Sequence, residues 1–538
     1  MIRRSFSFIA VAALVLGLAA PIAAQDRGAA SITAAELKVH LDFIASDEFA
    51  GRNTPSTELK ITSRYLANLV ESYGFRPLMP DGSFFQNLPL EVTSFDPDLT
   101  QLKVTGAAGE QVFRFPQAFG LGRSSQPGDF TGELVFVGYG LDAADLGWDD
   151  YGDIDLTGKI AVMVDGQLPD DHVLRSPENA RILRRRSFAA RSRGAVASVN
   201  VISPQREANF EQEDLTFDNP ERLRVIGGEE PQQTASGTGR IQPFVSIEVR
   251  HDVATALLGI SKDELNDIFD RLAGGDRVEE GGPSSAKVEI TVALNTRHDY
   301  SSNVVAVLEG SDPVLKSEYV LFGSHHDHLG TREGQVYNGA DDNGSGTVAM
   351  LEIAQAFSLE RPKRSVIMVW HTAEEKGLWG SEYFMANSPV PYDKMSAELN
   401  MDMICRNDPE GLYLIGSDQL STELDAVIRS VNDRHTHFNF DYTYNDPAHP
   451  DRFFFRSDQY PYIQYGVPAV WFFCGTTEDY HQPTDTVDRV DYQKMARVTR
   501  LVYLVGYEIG DRDGMLKLNA KPEITSRGSH NLRIRWRP

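Results

Sequence analysis

Between about Val288 and Ile509 the sequence alternates two textures, and that alternation constrains the fold more than any other feature. Short runs rich in β-branched and aromatic residues, at Asn303–Leu308, Tyr319–Phe322, Ser365–Trp370, Glu398–Asp402 and Ala469–Phe473, predict strands. Segments of helical period, Thr347–Phe357 and Tyr492–Ile509, lie among them. Buried strands alternating with helices predict an α/β sheet covered on both faces. In such sheets ligands bind at the carboxyl ends of the strands, so the residues there are the first place to look for chemistry.

Five segments put His, Asp or Glu at that edge. They are Gly323-Ser-His-His-Asp-His-Leu-Gly330, Asn338-Gly-Ala-Asp-Asp-Asn-Gly-Ser-Gly346, His371-Thr-Ala-Glu-Glu-Lys-Gly-Leu-Trp-Gly-Ser381, Leu399-Asn-Met-Asp-Met403 and Asp479-Tyr-His-Gln-Pro-Thr-Asp485. Singly, each reads as a turn, a helix cap or a solvated loop. Together, in one half of the chain and at one edge, they read as a metal centre. Imidazoles and carboxylates without thiolates suit zinc or a similar divalent ion. Five ligands exceed the need of a single catalytic zinc and suit two metals sharing a carboxylate.

The rest of the chain narrows the class. With 52 Lys and Arg against 77 Asp and Glu, the net charge of −25 disfavours nucleic acid as a partner. Two cysteines, Cys405 and Cys474, exclude a disulfide scaffold, and free buried thiols are the expectation for both. Residues 1–24 read as a signal peptide. Arg3 and Arg4 precede the apolar stretch Phe8–Ala20, and small residues follow up to Gln25. Arg3-Arg4 with Ser5-Phe6 half-resembles a twin-arginine signal, which stands as the alternative to general secretion. No transmembrane segment is expected, and the mature protein is expected to be exported, periplasmic or extracellular.

After the leader, Thr33 with Glu36 predicts a capped helix start, and a second helix is expected from Thr57 to Tyr73, stopped by Gly74. From about Gly128 short β-type runs, such as Glu133–Val137 and Lys159–Val164, predict a separate, mainly β module. Pro204 to Gly239 is polar enough to be read as a long surface loop. Lys262–Leu272 has a helical pattern.

The motifs resemble those of the co-catalytic zinc aminopeptidases of metallopeptidase family 28 (clan MH). The matching pieces are Ser324-His-His-Asp327, Asp342-Asn-Gly-Ser-Gly346, Glu374-Glu-Lys-Gly-Leu378, Asn400-Met-Asp-Met403 and Tyr480-His481. Asp47-Glu-Phe-Ala-Gly-Arg52 is similar to the family's N-terminal signature. Phe136-Val-Gly-Tyr-Gly140, Asp149-Asp-Tyr-Gly152 and Gly158-Lys-Ile160 are similar to its inserted protease-associated (PA) domain.

The resemblance implies a doubly wound mixed α/β sheet of the zinc-aminopeptidase (phosphorylase/hydrolase-like) type with an inserted, mainly β PA domain. The chain is thus expected to divide into a signal peptide 1–24, the N-terminal part of the catalytic domain 31–125, the insert 126–262, a return linker 263–294, the metal-site part of the catalytic domain 295–511 and a solvated or loosely docked tail 512–538. The resemblance implies two zinc ions per chain, His325 and Asp402 on one, Glu375 and His481 on the other, with Asp342 rather than Asp341 as the bridge. Glu374 becomes the general base, Asp327 the carboxylate that orients His325, and Tyr480 a donor to the scissile carbonyl. His326 and His328, beside Asp327, are expected to be outer or exposed histidines. The implied activity is exopeptidase cleavage of N-terminal residues from peptides. Alternatives within the fold are a carboxypeptidase or dipeptidase, with Arg406 as a candidate group for the substrate carboxylate, and a glutaminyl cyclase. A metal-free binding protein on a dead peptidase scaffold is the reading from another class.

Overall fold

The computed structural model describes residues 24–519, apart from 107–108, 123–124, 167–175, 177–178, 214, 228–242, 276–285 and 333. Most of the expected signal peptide and most of the tail lie outside the described residues. The chain divides into two compact units, one formed by the chain up to Pro89 and from Tyr300 onward, the other by Leu90–Asp299. Among the described residues no helix is long and apolar enough to cross a membrane.

After a short helix Ala24–Ser31, the first unit has α1 (Ala34–Ile44), where the Thr33 side chain accepts a hydrogen bond from the Glu36 amide as the capping pattern predicts. Then α2 (Thr57–Ser72) turns out of helix at Gly74, which takes φ +88°. The sheet uses β1 (Phe85–Phe95), β2 (Leu294–Leu308), β3 (Tyr319–His325), β4 (Ser365–His371), β5 (Met395–Met401), β6 (Gly411–Ile415), β7 (Asn439–Asp441) and β8 (Ala469–Phe473). Its order is β1-β2-β4-β3-β5-β8-β6-β7. The four central strands β4, β3, β5 and β8 run parallel, while β2 and β6 pair antiparallel on either side. The sheet is therefore mixed, as expected. Helices α3 (Gly346–Leu359) and α4 (Tyr492–Asp511) contribute Val348, Met350, Phe357, Leu501 and Val505 to one core, with Val320 and Phe322 from β3. Leu321, Ile367 and Trp471, on the other side of the strands, join a second core. Every residue of β4, β5 and β8 is buried, the burial of parallel strands covered on both faces.

Besides a two-stranded sheet, Asp142–Ala143 with Trp148–Asp149, the second unit holds two larger ones. One runs Phe119–Leu121, Val245–Val249, Ala197–Val201, Ile160–Val164, Leu134–Phe136, parallel except at its first strand. The other is antiparallel, in the order Gly109–Arg114, Gln101–Gly106, Lys287–Val292, Gly128–Gly132. This unit is wider than the expected 126–262. The segment 263–294 is not a linker, because Leu265, Phe269 and Leu272 of helix Lys262–Ala273, with Val288 and Ile290, belong to the core. Residues 204–239 are not simply a loop either. Pro204–Glu213 is helical, with Phe210 and Glu207 turned inward, and Arg222–Val225 pairs with Leu90–Thr93. The first residues of the expected tail are docked: the Asn519 amide donates to Leu420 O at 2.7 Å, and Leu516 is buried.

Candidate metal centre

The parallel strands deliver the expected residues to one edge. His325 ends β3 directly beside His371, the end of β4; Glu374 and Glu375 follow that strand. Asp402 follows β5, His481 follows β8, and Asp342 sits in the irregular turn Ala340–Ser345 that enters α3. Left-handed backbone at Ala373, Leu378, Met403 and His481, with φ of +56°, +64°, +58° and +56°, bends the chain beside the acidic residues. Such conformations cost about 1–3 kcal/mol each and persist where the surroundings demand them.

Nε2 of His325 lies 3.4 Å from Asp342 Oδ1 and 3.4 Å from Asp402 Oδ1. Nε2 of His481 lies 3.1 Å from Asp342 Oδ2 and 3.4 Å from Glu375 Oε2. Asp342 thus presents one oxygen to each histidine. Two ligands about 2.0–2.1 Å from a tetrahedral zinc stand roughly 3.3 Å apart, so these separations fit ligand edges. Nε2 of His325, Oδ1 of Asp402 and Oε1 of Glu375 are buried and make no hydrogen bond. Nδ1 of His325 faces the Asp327 carbonyl at 3.1 Å, a partner that requires the proton on Nδ1 and leaves a bare Nε2 turned toward carboxylates. A cation between them resolves that conflict, and the donor set fits zinc.

The electrostatics follow. Burial would lower His325, but Glu374 and Asp402 outweigh it and hold the imidazolium well above the usual range. His481 is likewise opposed by burial yet raised to about 10 by Asp342 and Glu375. Burial would raise Glu375, but His328 and His481 bring it down to about 2. Glu374 goes the other way: burial, with repulsion from Glu375 and Asp402, lifts it well above the carboxylate range against the pull of His325.

Asp327 departs from its expected role. Its backbone carbonyl, not its carboxylate, meets His325; Oδ1 stands 3.9 Å away. The carboxylate instead accepts the Glu374 amide at 3.1 Å and the Thr54 hydroxyl at 2.9 Å, fixing the loop that carries both glutamates. His326 and His328 are fully buried, so the exposed reading fails. His326 lies 2.8 Å from the Ser63 hydroxyl and 2.7 Å from the His371 carbonyl, while Nδ1 of His328 stands 2.8 Å from Glu375 Oε1. Asp341 turns away, accepting the Cys405 amide at 3.2 Å and its thiol at 2.9 Å. Cys405 and Cys474 are free and buried, as expected. Arg406 is paired with Asp479, which Arg489 also contacts. Tyr480 stacks on His481 with ring centroids 3.9 Å apart.

Three supporting residues escape sequence reasoning. Asp485 accepts the amides of Asp341 and Asp342 at 2.9 and 3.0 Å. Ser457 donates to Asp402 Oδ2 at 2.6 Å. The Arg52 guanidinium, fully buried, donates to the carbonyls of Ile44, His326, Asn338 and Gly339. Arg52 and Asp485 lie in quoted motifs, but nothing in a one-dimensional pattern says which distant carbonyls or amides they serve.

The stretch 303–505, which contains every one of the five segments, matches the model of peptidase family M28. Two curated relatives are similar over the same part of the chain. Leucine aminopeptidase 2 of Arthroderma otae is 26% identical over 232 residues, covering 39% of this chain and 45% of that protein. The probable leucine aminopeptidase 2 of Aspergillus oryzae is 27% identical over 222 residues, covering 41% of each. The chain spans less than half the length of these relatives. Among solved structures, a zinc aminopeptidase of Bacillus subtilis superposes with a TM-score of 0.50 at 15% identity, covering 90% of this chain and 96% of that one. That likeness is one of fold.

Proposed function

We propose that the protein is an exported di-zinc aminopeptidase. The observation that carries the reading is Asp342, whose two carboxylate oxygens face His325 and His481, each of which also faces a second carboxylate. His325 and Asp402 would hold one ion, Glu375 and His481 the other, and Asp342 both. Bound there, the ions would acidify a water and polarise the scissile carbonyl. Glu374, beside His325 at 3.8 Å, takes the proton from that water and passes it to the leaving amine. Tyr480, kept neutral by burial and the surrounding carboxylates, donates its hydroxyl to the carbonyl oxygen as negative charge develops there. Cations bound there would draw Glu374 down from its raised position into the ionised form, so that with Asp402 it supplies negative charge for the substrate's α-ammonium. The pairing of Arg406 with Asp479 removes the basic group that a carboxypeptidase reading had drawn upon. The unit Leu90–Asp299 is read as the inserted PA domain, supported by its parallel β core.

The test uses one tripeptide in free, N-acetylated and C-amidated forms, with metal analysis of the same preparation. About two zinc ions per chain are expected, with kcat/KM largely lost on acetylation, since buried acceptors left unpaired cost roughly 1–3 kcal/mol each. Cleavage of the acetylated peptide but not the amidated one would establish a carboxypeptidase instead. A metal-free protein would establish the dead-scaffold reading.

A further inference from the structure

One residue in the cleft beside the metal centre is unexplained by the mechanism. The cleft walls are largely apolar, with Phe453, Trp471 and Phe473, and its floor is acidic, with Asp342, Glu374 and Asp402. Arg456 is the only lysine or arginine among the described lining residues. Among the described residues it has no acidic partner within 4 Å, although the chain carries 25 more acids than bases. Arg406, which follows the ligand-bearing strand β5, is by contrast tied to Asp479.

Arg456 is exposed, and its side chain lies against one wall of the cleft. Its guanidinium packs over the Phe453 ring, 4.8 Å from the centroid, and its amide donates to Phe453 O at 2.9 Å. The next residue, Ser457, is bonded to Asp402 itself. A positive charge seated over an aromatic wall, with no acidic side chain within 4 Å among the described residues, is open to an anion. The planar fork of arginine matches a carboxylate. The cleft therefore offers negative charge at its metal end and positive charge at Arg456, the complement of a molecule carrying an amine and a carboxylate.

We propose that Arg456 is a specificity residue that receives a substrate carboxylate, supplied by an acidic side chain or by the C-terminus of a short peptide. This deepens the aminopeptidase reading and rests on it. The substrate class is short or acidic peptides with a free α-amine.

The test uses the full-length zinc-loaded protein and four peptides: Leu-Gly-Gly, its C-terminal amide, Glu-Gly-Gly amide and Gln-Gly-Gly amide. Two ratios of kcat/KM are read, acid over amide for the leucyl pair and Glu over Gln for the amides. The first reports a C-terminal carboxylate, the second a side-chain one. At least one ratio should exceed unity in the wild type and fall roughly 10-fold in Arg456→Met, mainly through KM, with Arg456→Lys in between. Unchanged ratios in Arg456→Met would overturn the proposal while the aminopeptidase reading stands. An equal loss on all four peptides would also overturn it, because Arg456 would then only support Phe453. Failure of the wild type to cleave even the neutral leucyl amide would overturn the aminopeptidase reading, and the proposal with it.

Discussion

The two units solve backbone and charge problems in opposite ways. In Leu90–Asp299 every described residue with positive φ is a glycine; all nine non-glycine residues with positive φ lie in the other unit. Among the described residues, the buried side-chain atoms without hydrogen bonds in Leu90–Asp299 are a tyrosine hydroxyl, a serine hydroxyl and one nitrogen of Arg222. In the other unit they include His325, His328, Asp341, Glu375, Glu398, Asp402 and Asp458. The second unit does contain a buried acid, Glu207, but it is satisfied by Arg250 and by the His251 amide. One unit is relaxed and neutralised, as folding alone requires. The other retains strained turns and unpaired charges at one sheet edge, as chemistry requires.

The sharpest way to break this contrast is to exchange Glu for Gln in each unit. Glu374→Gln should lower kcat by about 10²–10⁴ while about two metals per chain remain, because only proton transfer is lost. Glu207→Gln should leave turnover intact and cost about 1–3 kcal/mol in denaturant unfolding, since a buried charged partner is lost. A Glu374→Gln protein with more than about a tenth of the wild-type kcat would place the base elsewhere.

Next in size is the choice between neighbours. Asp342→Ala should strip metal from both positions in elemental analysis, whereas Asp341→Ala, whose carboxylate serves Cys405, should retain most of it. Equal losses would remove the special status of Asp342.

Glu352, with one oxygen 3.6 Å from His40 Nε2 and the other making no hydrogen bond, asks whether a buried acid always marks function. It is 1% exposed on α3, and burial, with Glu36 adding, pushes it up to about 8. Between its ordinary value and 8 the folded chain keeps a proton that the unfolded chain has released. Its contribution to stability is therefore full at acid pH and lost as pH rises through 8. Glu352→Gln should keep its activity and gain roughly 2–4 °C in Tm at pH 9, with less gain at pH 5. No difference between the two pH values would contradict the shift.

The smallest effect concerns the backbone. Gly259, at φ +68° with open space around it, should cost about 1 kcal/mol as Gly259→Ala. Ala373→Gly, at φ +56°, should be neutral within about 0.5 kcal/mol, because relieved strain offsets a looser unfolded chain. Calorimetry on both variants measures the asymmetry.

The legibility of the sequence follows the same divide. Strand Ala469–Phe473 is read from its apolar run to the residue, and β3, β4 and α3 to within a few residues, because burial on both faces leaves long apolar signatures. Helix Pro204–Glu213 escapes because only Phe210 among its residues is a large apolar group turned inward. The width of the second unit escapes because strands Gln101–Gly106 and Gly109–Arg114 are half exposed and carry a weak apolar pattern. At the metal centre the residue types were visible in local motifs. The roles of Asp327, Ser457 and Asp485 were not, since each depends on a partner brought close only by the fold.

The turn bearing Asp342 is gripped from two directions, by Arg52 through the carbonyls of Asn338 and Gly339 and by Asp485 through the amides of Asp341 and Asp342. During synthesis the first grip emerges early and the second only at residue 485 of 538, just after His481. Until then Asp342, Glu375 and Asp402 are nascent acids without their full set of partners. A chain interrupted before its final segment would therefore carry Asp342, Glu375 and Asp402 without the two residues that complete the cluster.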